Sequence, residues 1–301
     1  MEIIRIPRIM QDTAKGHSLR GRSIGFVPTM GALHEGHLSL VRRAKSENDI
    51  TVVSIFVNPL QFSPSEDFER YPSDYEGDSK KLKGEEVDIL FMPDITMIYP
   101  EGFSTHVEVE NLSEKLCGLF RPGHFRGVTT VVTKLFNVVK PTRAYFGQKD
   151  FQQCVIIKKM VRHLNMDIEV VVCPTIRESD GLAMSSRNSY LNKEERRAAS
   201  VISRCLAQTI ELIKSGIIDK EHIKRFMLAK LSEEPLVTEI QYASVYDAEN
   251  LDEVEKVGKE AIVAIALKIG STRLIDNMLV KVLIKPGEES RDAAESLYTD
   301  T

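Results

Sequence analysis

SIGFVPTMGALHEGHLSLVRRAKSENDITVVSIFV, residues 23–57, is the stretch that decides the fold. Its first run, Ser23–Val27, and its last, Ile50–Val57, are rich in β-branched residues and flanked by Pro, Gly or Asn. Between them, Leu38–Glu47 sets Leu38, Leu40, Val41 and Ala44 at helical spacing. Strand, helix, strand in this order predicts a βαβ unit, and hence a parallel sheet with a right-handed crossover. Working outward, Val87–Met92, Ala144–Phe146 and Ile168–Cys173 predict further buried strands, with helices over Thr129–Val139 and Asp150–Leu164. The expectation for residues 1–175 is a doubly wound α/β domain. Beyond it, Glu194–Ser215 and Lys220–Ser232 read as amphipathic helices, and Glu239–Tyr246, Ala261–Leu267, Thr272–Ile275 and Leu279–Ile284 as strands. That predicts a smaller α+β domain over residues 176–285, with a boundary in the polar stretch Pro174–Asn188 and a polar acidic tail over 286–301.

Composition narrows the function classes. With 301 residues, the chain exceeds a typical single domain of ~100–150 residues, so two domains are the first expectation. Lys and Arg total 40 against 44 Asp and Glu, a net charge of -4, which argues against a general nucleic-acid binder. The four cysteines, Cys117, Cys154, Cys173 and Cys205, form no CxxC pair, so a zinc ribbon is unsupported and a reducing cytoplasm is expected. The start, MEIIRIPRIMQDT, lacks a basic stretch followed by an apolar one, so no secretory signal is read. The longest apolar run, Ala261–Leu267, is far shorter than the ~20 residues that span a bilayer.

The richest chemistry lies in Pro28–His37, PTMGALHEGH, between the first strand of the βαβ unit and its helix. Open α/β sheets bind ligands at the carboxyl ends of their strands, and a helix N-terminus offers free N–H groups to an anion. His34 and His37, three apart, can face one ligand, and Gly31 and Gly36 let backbone approach a phosphate. A zinc protease needs HExxH, whereas this HEGH has its histidines at the wrong spacing around a glycine. Taken locally, two merely structural histidines remain an alternative.

Together with further segments, the stretch resembles a known family. PTMGALHEGH looks like the HxGH signature of the nucleotidyltransferase and class I aminoacyl-tRNA synthetase superfamily, in the form found in the pantothenate synthetase (pantoate–β-alanine ligase) family. FVNPLQF (56–62), RYPSD (70–74), RPGHFRGVTTVVTKLFN (121–137), FGQKDFQQ (146–153), PTIRESDGLAMSSRN (174–188) and STRLIDN (271–277) match in order, so the resemblance spans about residues 3–285. It implies a Rossmann-like doubly wound parallel sheet, followed by a smaller α+β C-terminal domain that closes over ATP as a lid. The implied reaction joins pantoate to β-alanine, converting ATP to AMP and pyrophosphate, with Mg²⁺, through an enzyme-bound pantoyl adenylate. The metal ligands stay unknown. Family members are commonly homodimers, and no nucleic-acid or membrane partner is implied.

The resemblance implies roles residue by residue. His37, His34, Lys149 and Arg187 would supply positive charge and hydrogen bonds to phosphoryl chemistry. ATP would lie against Met30, Gly31, Ala32, Leu33, His34, Glu35, Gly36 and His37, against Gly147, Gln148, Lys149 and Asp150, and against Ile176, Met184, Ser185, Ser186 and Arg187. Gln61, Gln153 and Asn58 would bind pantoate or β-alanine, since amides both donate and accept. Gln148 departs from the Glu many relatives carry. Read alone, SSR is a common surface triplet, Lys149–Asp150 a solvated ion pair, and FVNPLQF a strand ending in a Pro turn. Three rivals stay in view: a nucleotidylyltransferase that leaves AMP on its product, an aminoacyl-tRNA synthetase, and a nucleotide-binding sensor. The two glutamines oppose the first, and no basic appended domain supports the second.

Overall fold

The computed structural model describes residues 1–64 and 66–281. The strands β1 (Glu2–Ile4), β2 (Ile24–Thr29), β3 (Ile50–Ile55), β4 (Ile89–Phe91), β5 (Arg143–Gly147) and β6 (Glu169–Cys173) form one parallel sheet in the order β1-β4-β3-β2-β5-β6. All six positions of β3 are buried, as expected for a strand covered on both faces. Helices α1 (Pro7–Ser18), α2 (Glu35–Glu47), α3 (Tyr75–Gly84), α4 (Ile95–Ile98), α5 (Cys117–Phe120), α6 (His124–Val139) and α7 (Phe151–His163) complete this half. From β2 the chain winds one way through β3 and β4, then returns to place β5 on the other flank of β2. The crevice between the carboxyl ends of β2 and β5 is therefore the switch point where such sheets take ligands.

Helix α6 explains how the sheet is held. Phe125, Val128, Val132, Leu135, Phe136 and Val139 are buried along it. Phe136 meets both Phe26 of β2 and Phe146 of β5 edge-on, with ring centroids 6.4 Å apart in each case. Burying a side chain of this size contributes roughly 1.5–3 kcal/mol, so the helix clamps the two strands that carry the crevice.

The second half is α8 (Lys193–Ala198), α9 (Val201–Lys214) and α10 (Lys220–Ser232), followed by the antiparallel sheet β7 (Val237–Asp247), β8 (Glu260–Ile269) and β9 (Thr272–Lys281). Strand β8 has two buried faces. Ile262 and Ala264 join the core of the parallel half, whereas Val263, Ile265 and Leu267 pack with Ile202, Leu206 and Met227 of the helices. The period of two along a strand thus divides one continuous apolar run between two cores.

The fold class is the expected one: a doubly wound parallel sheet followed by a smaller α+β region. Some elements differ. Strand β1 and helix α1 are not among the expected elements, although Pro7 at the helix start and buried Met10 and Ala14 four residues apart are helical signals. Glu194–Ser215 is two helices, α8 and α9, rather than one. Thr272–Ile275 and Leu279–Lys281 belong to one strand, because the polar pair Asp276 and Asn277 between them is buried and hydrogen-bonded, and the rest of the expected Leu279–Ile284 strand lies outside the described residues. The expected tail over 286–301 lies outside the described residues.

Candidate active site

Helix α2 begins at the carboxyl end of β2 and is capped by its own two histidines. The His34 Nδ1 accepts the Gly36 backbone N–H at 3.1 Å, and the His37 Nδ1 accepts the His34 N–H at 3.3 Å. The rings lie 4.1 Å apart, centroid to centroid. An imidazole that accepts through Nδ1 carries its neutral-form proton on Nε2, so each ring keeps one Nε2–H donor for a ligand. Burial, then the Lys149 charge, lowers the His34 pKa to about 4. Burial, then His34 and Lys149, lowers that of His37 to about 3. Both are neutral donors at pH 7. Gly36 is required here: a Cβ on it would stand 2.9 Å from the His34 Cε1.

The preceding loop is strapped from beneath by α3. The Leu33 N–H donates to the Asp78 Oδ1 at 2.8 Å, and the Lys81 ammonium donates to the Leu33 carbonyl at 2.7 Å. Glu35 faces away, its carboxylate engaged by Arg42 on the exposed side of α2.

At the end of β5, Gly147, Gln148, Lys149 and Asp150 form the facing edge of the crevice. Asn277 of β9 fixes this edge by donating to the Gln148 carbonyl at 3.1 Å and the Lys149 carbonyl at 2.9 Å. The Lys149 ammonium lies 3.6 Å from the Asp150 carboxylate.

Asn58 and Gln61 follow β3. The Gln61 amide donates to the Met30 sulfur at 3.1 Å and accepts from the Asn58 Nδ2 at 3.0 Å. Asn58 is buried and fully engaged. Its Oδ1 accepts the Tyr99 hydroxyl at 2.7 Å, and its Nδ2 also donates to the Gly127 carbonyl at 3.1 Å. Asn58 therefore positions Gln61 and has no free group to offer. Beneath, the His124 Nδ1–H donates to the Gln61 carbonyl at 2.8 Å, while its Nε2 faces an Arg121 N–H at 3.1 Å. Burial, then Arg121, lowers the His124 pKa to about 3.

Residues 174–188 close the site from the other side. The Met184 N–H donates to the Ile176 carbonyl at 3.0 Å, and Met184 stands against Gly36. The Ser186 hydroxyl donates to the Ala32 carbonyl at 3.2 Å, tying this loop to the histidine loop. The Ser185 Oγ accepts the Arg187 N–H at 3.3 Å. The Arg187 guanidinium is held by Asp67 through two bonds, of 3.0 and 2.9 Å, and lies over the Tyr71 ring. Arg177 grips the buried Asp276 at 2.6 Å, joining this loop to β9.

A cavity of ≈ 590 Å³ opens between the two halves, lined by Lys149, Asp150, Gln153, Ser185 and Arg187 among others, with Arg273 and Asn277 on the β9 side. The structure thus gathers the histidine loop, the Lys149 edge and the Arg187 loop around one crevice, with Gln61 and Gln153 at its side. Of the expected site residues, Lys149, Asp150, Gln153, Ser185 and Arg187 are in its wall, whereas His34, His37, Asn58 and Gln61 are not.

Comparison with known proteins follows the same lines. Residues 2–279 match the model of the family described as pantoate-beta-alanine ligase. The chain belongs to the pantoate–β-alanine ligase family. The pantothenate synthetase of Thermodesulfovibrio yellowstonii is 59% identical over 93% of this chain and 100% of that protein. That of Thermosipho africanus is 59% identical over 86% and 92% of the two chains. The crystal structure of pantothenate synthetase from Thermus thermophilus superposes with a TM-score of 0.87 at 43% identity, covering 92% and 99% of the two chains. A pantoate-beta-alanine ligase from Francisella tularensis, complexed with beta-gamma ATP and beta-alanine, has a TM-score of 0.77 at 36% identity, covering 93% and 97%.

For a pantoate–β-alanine ligase fold, several residues that shape the site carry no signal in a single sequence. Asp67, Asp78, Lys81, Tyr99 and Asn277 act through partners far away in the chain. Arg121 and His124 lie inside the quoted RPGHFRG stretch, yet their bonds to the Gln61 carbonyl are visible only in three dimensions.

Proposed function

We propose that the chain is an ATP-dependent ligase that condenses (R)-pantoate with β-alanine to give pantothenate, AMP and pyrophosphate, a step toward coenzyme A. The observation that carries this reading is a pair of neutral Nε2–H donors and one lysine at the switch point of the sheet, in a chain of this ligase family.

A carboxylate and an amine do not condense at neutral pH, so the carboxylate must first gain a good leaving group. In the first step a pantoate carboxylate oxygen bonds to the α-phosphorus of ATP. The bond from that phosphorus to the bridging oxygen breaks, and pyrophosphate departs with the electron pair. Both reactants are anions, so the site must supply positive potential where charge develops. His34 and His37 donate Nε2–H bonds without themselves changing charge, and the N-terminus of α2 adds its dipole. Lys149 reaches the phosphates as a point charge. Met30 to Leu33, Gly36, Gly147, Gln148 and the backbone of Ile176 and Met184 line the nucleotide, with Asp150 accepting from ribose hydroxyls. Ser185, Ser186 and Arg187 take the β- and γ-phosphates. Gln61 and Gln153 hold pantoate, with Asn58 and His124 fixing Gln61. In the second step the neutral β-alanine nitrogen bonds to the acyl carbon, AMP leaves with the acyl C–O electron pair, and an amine proton is lost to solvent.

Among the described residues no group of three or more His, Cys, Asp or Glu could hold a metal ion. Mg²⁺ often binds mainly through nucleotide phosphates and water, so on this reading it would ride on the ATP phosphates beside Lys149. Bound there, it would neutralise phosphate charge. Residues 176–285 act as a lid whose closure brings Arg187 onto the nucleotide. The protein works as a homodimer in the cytoplasm. Four buried, unpaired cysteines support a reducing compartment, and light scattering at the mass of two chains checks the dimer. Among the described residues no helix is long and apolar enough to cross a membrane.

The test is product analysis. Steady AMP release should require both pantoate and β-alanine and be matched by pantothenate formation. A product that retains adenylate would replace this reading with nucleotidylyl transfer.

A further inference from the structure

The cavity wall carries more positive charge than its own acids balance. Arg121 is matched by Glu66, Arg187 by Asp67, Lys149 by Asp150 and Lys268 by Glu239, while Arg70 is exposed to water. Arg273 has no carboxylate at ion-pair distance among the described residues, and Glu239, which feels its charge, is already taken by Lys268. Strand alternation on β9 puts it on the same face as Ile275, toward the parallel half and the cavity.

Its guanidinium is anchored but not neutralised. The Nε donates to the Gln241 Oε1 at 2.7 Å, and Nη2 reaches the Cys117 sulfur at 3.3 Å. Gln241 in turn donates to Glu239, whose carboxylate is paired with Lys268 at 2.6 Å. A guanidinium has five N–H donors, so donors remain for the cavity that Arg273 lines, with the Gln241 amide, the Cys117 thiol and the Tyr242 phenol behind it. A half-buried charge without a direct ion pair leaves room for an anion from outside the chain.

We propose that Arg273 binds the carboxylate of β-alanine. The proposal rests on the ligase reading above and adds the residue that recognises the amine substrate. On that reading the nucleotide phosphates already meet Lys149, Arg187, the two histidines and the α2 N-terminus, and the pantoate carboxylate is consumed as the nucleophile. One substrate anion is then unmatched: the β-alanine carboxylate. A planar fork holding both its oxygens orients a short, flexible molecule, leaving the amine at the other end for the acyl carbon. The arrangement selects amines that carry a carboxylate over plain alkylamines.

The experiment compares wild type with Arg273→Met and Arg273→Lys in two assays. One is pantoate-dependent pyrophosphate–ATP exchange without β-alanine. The other is amide formation with β-alanine or with 1-aminopropane, which lacks the carboxylate. Arg273→Met should raise the KM for β-alanine by about 30-fold or more and remove the preference over 1-aminopropane, since charge-assisted bidentate pairs are the strong ones. Arg273→Lys should fall between, and exchange should stay within about twofold of wild type. A β-alanine KM unchanged in both variants overturns the proposal. So does a parallel loss of exchange, which would put Arg273 on a phosphate. If the methionine variant does not fold, Arg273→Lys and the wild type decide: a wild type that uses 1-aminopropane as well as β-alanine contradicts the assignment. Absence of exchange in the wild type would instead sink the ligase reading, and this inference with it.

Discussion

Arg187 and Asp67 form a two-armed ion pair, Nε to Oδ2 at 3.0 Å and Nη2 to Oδ1 at 2.9 Å, which joins the loop after Met184 to the segment after β3. The Tyr190 hydroxyl adds a third bond to Asp67 at 3.1 Å. If Arg187 serves the nucleotide phosphates, Asp67 holds its place until they arrive. Asp67→Asn keeps the shape and removes the competing charge, so ATP should bind ~3- to 10-fold more tightly, about 1 kcal/mol. Isothermal titration with ATP checks this, and weaker binding would show that Asp67 supports the nucleotide instead.

The histidines should work without titrating. Their pKa values, about 4 for His34 and about 3 for His37, keep both neutral across the working range. Adenylation should then show no histidine inflection between roughly pH 5.5 and 8, since a group titrates near its own pKa. His37→Ala should slow it by roughly 10²–10³, as loss of one donor to a developing charge does. Single-turnover quench over that pH range measures both.

The same lowered values make folding acid-sensitive. An unfolded histidine binds a proton near pH 6.5, whereas the folded His34, His37 and His124 resist until about 4, 3 and 3. The unfolded state therefore binds more protons in this window, and stability falls as pH drops below 6.5 toward those values. For His124, linkage gives about 1–2 kcal/mol lost between about pH 7 and 5. Urea melts at the two pH values should show a smaller difference in His124→Asn than in the wild type.

Packing gives a sharper test of the pantoate side. A Cβ on Gly127 would stand 2.2 Å from the Leu60 carbonyl oxygen and 2.6 Å from the Gln61 nitrogen. Gly127→Ala must push the Gln61 loop off α6. It should destabilise by about 1–3 kcal/mol and raise the KM for pantoate more than that for ATP. A thermal melt and steady-state kinetics decide; a variant with wild-type pantoate KM would separate Gln61 from the substrate.

Asn277 links the second half to the chemistry. Asn277→Ala leaves the Gln148 and Lys149 carbonyls without its two bonds, and each bond lost costs about 1 kcal/mol. Adenylation should slow about tenfold with ATP affinity little changed, because Lys149 is displaced rather than removed. Equal rates would make the contact purely structural.

These relationships also show where a single sequence stops. The βαβ unit was legible because the β-branched runs Ser23–Val27 and Ile50–Val57 flank Leu38, Leu40, Val41 and Ala44 at helical spacing, and the histidine pair because spacing fixes the face it shares. Asn58 and Gln61 were legible as loop neighbours, but not that one positions the other, since that depends on Tyr99 and Gly127 arriving from elsewhere. Asp276 and Asn277 read as a break in a strand. Their side chains serve Arg177 and the Lys149 edge, and those bonds override local strand preference. Likewise a lone Asp67 in an acidic loop carries no sign of the arginine 120 residues away that it holds.

On the proposed mechanism, pantoate is activated as an adenylate before β-alanine takes part. Pyrophosphate–ATP exchange measures it directly. With ATP, labelled pyrophosphate and pantoate alone, label should enter ATP, and omitting pantoate should abolish it. Exchange that requires β-alanine, or that proceeds without pantoate, would contradict the account.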